Sequence, residues 1–217
     1  MSAQKSDRVF RETSMKLAGI GQRFYSRNWV LGTSGNFSAV IATDPLRIAI
    51  TPSAAHKGTL TGREFLEVDA TGNVVGRRQG RPSAELLLHL EIVRLRSAGA
   101  VLHTHSVWGT ILSDIHSRDS GLWLEGYEML KGLAGVSTHE HQEWVPIVDN
   151  DQDMTRLAGV VGERLVRDAA AHAFLLRGHG LYTWGSSVDE AERHVEILEF
   201  LLEAVGRRSR YGDRDHP

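Results

Sequence analysis

The sequence predicts an α/β protein whose mixed, largely antiparallel sheet carries helices on both faces. Three observations lead there. Short strand-like runs follow one another in the first third and again near the C-terminus. Helical apolar spacing recurs at the start, in the middle and at the end of the chain. Strands therefore come in runs between helices instead of alternating strictly with them, which is the pattern of a mixed or antiparallel sheet and not of a purely parallel one. At 217 residues the chain suits one large domain with a substantial core and is short for two. That domain is expected over residues 1–206, and the polar, Arg-rich stretch 207–217 reads as a flexible tail.

Taken in order, Val9, Met15, Leu17, Ile20 and Phe24 recur at roughly helical spacing and predict an opening helix over residues 6–27. The small polar cluster Gly32-Thr33-Ser34-Gly35-Asn36 breaks it and leads into a strand from Phe37 to Thr43. A second strand, Arg47 to Thr51, ends in Thr51-Pro52-Ser53, and a hairpin about Thr71-Gly72 joins 65–69 to 73–75. Pro82 is placed to start a helix with Leu86, Leu90 and Val93 on one face, and Gly99 to end it. An apolar strand carrying His103 and His105 follows directly. Residues 108–115 look helical, a loop comes next, and a short helix spans 126–131. A strand over 144–148 precedes a helix capped by Asp149 or Asn150, with Met154, Leu157, Ala158, Val161 and Leu165 on one face. Two strands, 173–176 and 181–184, flank Arg177-Gly178-His179-Gly180, and Ser187 with Glu190 forms a capping box for the last helix.

Composition narrows the function. Lys plus Arg is 25 against 27 for Asp plus Glu, a formal net charge of −2, so nothing marks a polyanion-binding surface and no nucleic acid partner is expected. The absence of cysteine excludes disulfides and thiolate metal sites and suits a reducing compartment. With no secretory h-region and no spanning segment, a cytoplasmic protein without a membrane partner is the expectation.

Side chains alternate faces along a strand, so His103 and His105 point the same way and can grip one metal ion; the alternative is a pair of strand histidines satisfied by neighbours. An open metal site needs about three protein ligands. His179 is a natural third, between Gly178 and Gly180, which allow close backbone approach. His139-Glu140-His141 has the same spacing but no apolar strand before it and reads as loop surface. His56, His89, His116, His172, His194 and His216 read as structural or solvated. Glu85 and Glu128 lie near helix starts, where a carboxylate beside a metal can act as general acid or base. The loops at Thr33 to Asn36, at Ser53 and at Ser83 offer hydroxyls, an amide and free backbone N–H groups suited to an anion. Lys57 adds charge there or faces water.

Five motifs in this order, Thr33-Ser34-Gly35-Asn36-Phe37-Ser38, Thr51-Pro52-Ser53, Pro82-Ser83-Ala84-Glu85, His103-Thr104-His105 and Gly178-His179-Gly180, resemble the class II aldolase and adducin head family over nearly the whole chain. The resemblance implies a three-layer α/β/α sandwich with a mixed, mostly antiparallel central sheet. It implies one divalent metal per subunit, usually zinc, held by His103, His105 and His179, with another divalent metal also compatible. Asn36, Ser53 and Ser83 then lie where the family binds the phosphate of a sugar phosphate, and the assembly is a homotetramer with sites near subunit interfaces. Ala54 departs from the glycine often found after Thr-Pro-Ser in the aldolases. Tyr127 to Gly132 is similar to the segment that carries the catalytic glutamate in the family's dehydratase branch, and Trp144 to Asn150 is similar to bacterial members of that branch. The aldolases keep a glutamate matching Glu85 and lack one matching Glu128. The resemblance thus implies removal of water from 5-methylthioribulose 1-phosphate in methionine salvage, with Glu128 moving protons and Glu85 either helping or ordering the metal site. A sugar-phosphate aldolase or 4-epimerase, and a non-catalytic adducin-like interaction head, remain open beside it.

Overall fold

The computed structural model describes residues 3–212. The first helix, α1 (Ala3–Ser26), is followed by the antiparallel strands β1 (Asn36–Thr43), β2 (Leu46–Ile50), β3 (Leu66–Asp69) and β4 (Val74–Val75). After α2 (Leu86–Arg96) come β5 (Ala100–Thr104), α3 (Val107–Ile115) and β6 (Gly121–Glu125). A 3-10 turn (Glu128–Gly132) leads to β7 (Gln142–Val148), α4 (Met154–Arg167), β8 (Ala173–Leu176), β9 (Gly180–Gly185) and α5 (Val188–Gly212).

The nine strands form one sheet in the order β4-β3-β2-β1-β5-β9-β8-β7-β6. Every neighbouring pair is antiparallel except β7 and β8, which are joined by α4 as a crossover. Alternation along β5 sends Ala100 and Leu102 to one face and Val101 to the other. On the first face they meet apolar residues of α1 and α5, and α3 packs on α5. On the second, Val101, Phe174, Leu176 and Tyr182 pack under α2 and α4. The result is the predicted three-layer α/β/α sandwich.

Several local expectations change for identifiable reasons. Helix α2 begins at Leu86, not at Pro82, because Pro82 bridges to Pro52 and the Ser83 N–H donates to the Thr51 carbonyl at 3.1 Å. It ends on Ser97 in the left-handed region, while Gly99 is required elsewhere: a Cβ there would overlap the Ser186 carbonyl. Asp153, not Asp149 or Asn150, caps α4, its carboxylate accepting from Thr155 and Arg156 N–H groups at 3.0 and 3.1 Å. Strand β6 was hidden in the sequence as loop; half-exposed Trp123 interrupts its apolar pattern, and it forms by pairing Leu122 with Val145 and Trp123 with Trp144. Helix α5 continues past Arg207 to Gly212, so the expected tail starts as helix; residues 213–217, and with them His216, lie outside the described residues.

Candidate metal centre

Three adjacent strands build the floor of the site. In the β1–β5 and β5–β9 registers Asn36 is opposite His103 and His103 is opposite Tyr182, so the three stand side by side on the α2/α4 face. The His103 ring stacks on Tyr182, with centroids 3.9 Å apart at 12°, and Tyr182 stacks in turn on Phe174 at 4.9 Å. His105 follows the end of β5, where its N–H donates to the Trp29 carbonyl at 2.7 Å. His179 sits in the β8–β9 turn after Gly178, whose φ of 62° suits glycine. Gly180 brings β9 against β5 so closely that a Cβ would overlap the Thr104 carbonyl oxygen.

The three imidazoles converge through the same atom. Nε2 of His103 lies 2.8 Å from Nε2 of His105 and 3.3 Å from Nε2 of His179, and the last two are 3.1 Å apart. His103 Nδ1 is 2.9 Å from the Leu181 carbonyl oxygen, which must receive its proton, so Nε2 carries the lone pair. Burial holds His103 well below its ordinary pKa and His105 down to about 3, with the neighbouring imidazoles adding to both. His179 is lowered by burial too, against the pull of Glu85. Neutral nitrogens aimed at one point fit a cation, and the three residues are a group able to hold a metal ion.

Glu85 lies beside the triad. Its carboxylate lies 3.3 Å from His179 Nε2 and 3.6 Å from His103 Nε2. Asn36, expected at a phosphate, donates through Nδ2 to Glu85, while Oδ1 faces Nε2 of His89; the second Nδ2 hydrogen has no partner among the described residues. His89 Nδ1 meets the Ser38 hydroxyl at 2.7 Å. Burial takes the fully enclosed His89 down to about 3, so it is a neutral donor that orients the amide. His89, which the sequence offers as structural or solvated, is buried, and its place behind Asn36 and Glu85 is not legible from spacing.

The anion-suited turns do come together. The Ser53 N–H donates to the Arg81 carbonyl at 2.9 Å, which lays the Ser53 turn against the Pro82-Ser83 segment. Ser53 is exposed and Ser83 buried, its hydroxyl accepting the Glu85 N–H at 3.3 Å. Lys57 does not face water: it is 1% exposed, and Nζ donates to Ala55 and Thr33 carbonyls at 2.7 and 3.2 Å, tying two of the loops together. Burial lowers it to about 8, partly offset by the charge of Glu85. Ala54 holds a φ of 58°, the left-handed conformation for which a glycine is better suited.

Glu128 is not brought to the triad within one chain. Its side chain is 70% exposed on the 3-10 turn, paired with Lys131 and 3.7 Å from His139. The Lys131 hydrogen bond and charge, with His139, hold its carboxyl below the ordinary range. Two residues packed against the site strands escaped sequence reasoning. Tyr182 was visible only as the second residue of an apolar strand, and the register that makes it the partner of His103 is a tertiary fact. Glu199 on α5 is buried beneath the metal strand, accepts the Thr104 hydroxyl and is raised to about 7 by burial; in the sequence it is one helical glutamate among several.

The profile of the Class II Aldolase and Adducin N-terminal domain matches residues 15–205. The methylthioribulose-1-phosphate dehydratase of Methylococcus capsulatus is 46% identical over 202 residues, 93% of this chain and 96% of that protein. The protein of the same description from Acidiphilium cryptum is 42% identical over 203 residues, 93% of each chain. Among solved structures, an L-fuculose 1-phosphate aldolase superposes with a TM-score of 0.76 at 22% identity, covering 93% of this chain and 88% of that one, a likeness of fold.

Proposed function

The chain belongs to the class II aldolase and adducin family, and from that premise we propose that it is a hydro-lyase that converts 5-methylthioribulose 1-phosphate into 2,3-diketo-5-methylthiopentyl 1-phosphate and water, a step of methionine salvage. The observation that carries this reading is the likeness to dehydratase relatives across nearly the whole chain, a span that contains the triad and both candidate carboxylates. The fold by itself does not choose, since an aldolase shares it.

His103, His105 and His179 are the residues that would hold a divalent cation, zinc first among candidates because an all-imidazole set with an open position suits it. Such a cation supplies Lewis-acid polarisation of a carbonyl, which acidifies the neighbouring C–H. Glu85, beside the triad and bonded to Asn36, would accept that proton or hold the site in shape. The exposed Ser53 turn and the Ser83 segment against it, with the remaining N–H of Asn36, suit the substrate phosphate, and Lys57 behind them adds positive charge. Departure of the C4 hydroxyl needs a proton donor, for which Glu128 is our candidate. In the homotetramer that we propose, the exposed turn of Glu128 is available to the triad of an adjacent subunit. The absence of cysteine supports a cytoplasmic setting, and no helix among the described residues is long and apolar enough to cross a membrane.

The experiment is direct. Zinc-loaded protein is incubated separately with 5-methylthioribulose 1-phosphate and with fuculose and ribulose phosphates. Water loss from the first, without carbon–carbon cleavage of the others, is expected. Cleavage of a sugar phosphate with no dehydration would transfer the protein to the aldolases.

A further inference from the structure

His139-Glu140-His141 borders a second polar cluster, assembled from β7, the segment before β8 and α5. Glu143, 1% exposed, is its centre. Oε2 of Glu143 lies 2.8 Å from His141 Nε2 and 2.9 Å from His172 Nδ1, and Oε1 accepts the His172 backbone N–H at 2.8 Å. The other ring nitrogen of His172 is 2.8 Å from the Ala134 carbonyl oxygen. With an oxygen acceptor facing each nitrogen, only the imidazolium satisfies both contacts. His194 has the opposite pattern. Nδ1 lies 2.7 Å from the Trp184 carbonyl and so donates, which leaves Nε2 to accept the Ala134 N–H at 3.0 Å.

Ala134 is therefore held at both of its backbone groups by two histidines. Just before it, Arg193 donates to the Gly132 carbonyl at 2.9 Å, and Gly132 lies so close to α5 that a Cβ would overlap Ile197. These contacts hold Gly132, the last residue of the turn that starts at Glu128, and Ala134, two residues beyond it. We propose that His172, His194 and Glu143 are positioning residues for Glu128, fixing the turn that carries it in the place from which it moves its proton. The proposal rests on the assignment of Glu128.

The electrostatics agree with this geometry. Burial disfavours charge on His172, but the hydrogen bond and charge of Glu143 and the Ala134 carbonyl outweigh it and raise its pKa. Glu143 is lowered: burial opposes this and is exceeded by the bonds from His172 and His141. His194, lowered by burial, stays neutral and able to accept. The groups facing His172 are Glu143 from β7, His141 just before it, and His194 and Glu190 from α5.

The test uses the full, metal-loaded chain. His172→Gln and His194→Gln are each expected to lower kcat about tenfold, the scale of one lost buried hydrogen bond to a charged or well-oriented group. KM and metal content should stay unchanged, and amide exchange over residues 128–136 should quicken. The double variant E128Q/H172Q should be no slower than E128Q, because His172 acts only through Glu128. Wild-type kcat in E128Q removes the Glu128 assignment and this proposal with it. A defective E128Q beside fully active H172Q and H194Q overturns this proposal alone, as does a loss that adds in full to that of E128Q or runs parallel to loss of metal. If H172Q does not fold, H194Q carries the same expectations.

Discussion

The Nδ1–H of His103 is spent on the Leu181 carbonyl, so the remaining nitrogen can only be a lone pair, and stacking on Tyr182 fixes the plane in which it points. A similar economy governs Asn36, whose amide would be free to flip were it not held between a neutral histidine and a carboxylate. His89 keeps this order at a cost that depends on pH. Its pKa is depressed to about 3 in the fold, whereas the unfolded chain takes up a proton near pH ~6.5. The stabilising effect of a neutral His89 is thus complete above pH ~6.5 and is lost as pH falls towards about 3, at up to about 1.4 kcal/mol per pH unit. His89→Gln should have a flatter acid limb than wild type when denaturant unfolding is compared between about pH 7 and about pH 5. Parallel limbs in the two proteins would remove His89 as the source of the slope.

At the level of elements, the site depends on how closely β9 follows β5. The β1–β5–β9 register aligns Asn36, His103 and Tyr182 across three strands. Gly180 sets the separation at the end where His179 enters, because its neighbour there is the backbone carbonyl of Thr104 and not a yielding side chain. Gly180→Ala must push the strands apart or tilt the turn. An overpacking cost of about 1–3 kcal/mol is expected, seen as a lower melting temperature, together with a reduced metal-to-protein ratio as His179 moves off the other two. A variant that melts lower but keeps its full metal content would mean that the turn absorbs the strain without moving His179.

For the whole molecule, the two candidate carboxylates lie in different settings: Glu85 is against the triad, and Glu128 stands in solvent on a turn outside it. A carboxylate so exposed can serve the proposed reaction only if assembly brings it to a site. Glu128→Gln should keep its metal and lose most turnover, and His105→Ala should lose metal. Co-expressing the two should restore part of the activity, since some interfaces then join an intact triad to an intact Glu128. No recovery in mixed assemblies, with each variant still oligomeric, would place Glu128 and its triad in the same subunit.

The sequence by itself pointed to the three histidines that the fold brings together and to the layered architecture. The His-x-His spacing brought the two histidines to one side even though β5 ends at Thr104 and His105 lies just past it, and the apolar runs could be buried only by helices on both sides of a sheet. Its errors are local and alike. Pro82 and Gly99 have the chemistry of helix ends but are engaged by Pro52 and Ser186, and β6 has too little apolar pattern to declare itself before β7 pairs with it. Only the tertiary structure decided which carboxylate meets the triad, why Asn36 supports it, and that Tyr182 lies beneath it. Those roles depend on strand register and on contacts between residues far apart in the chain, such as Ser83 with Thr51 and Asn36 with His89, and side-chain type and spacing carry no record of either.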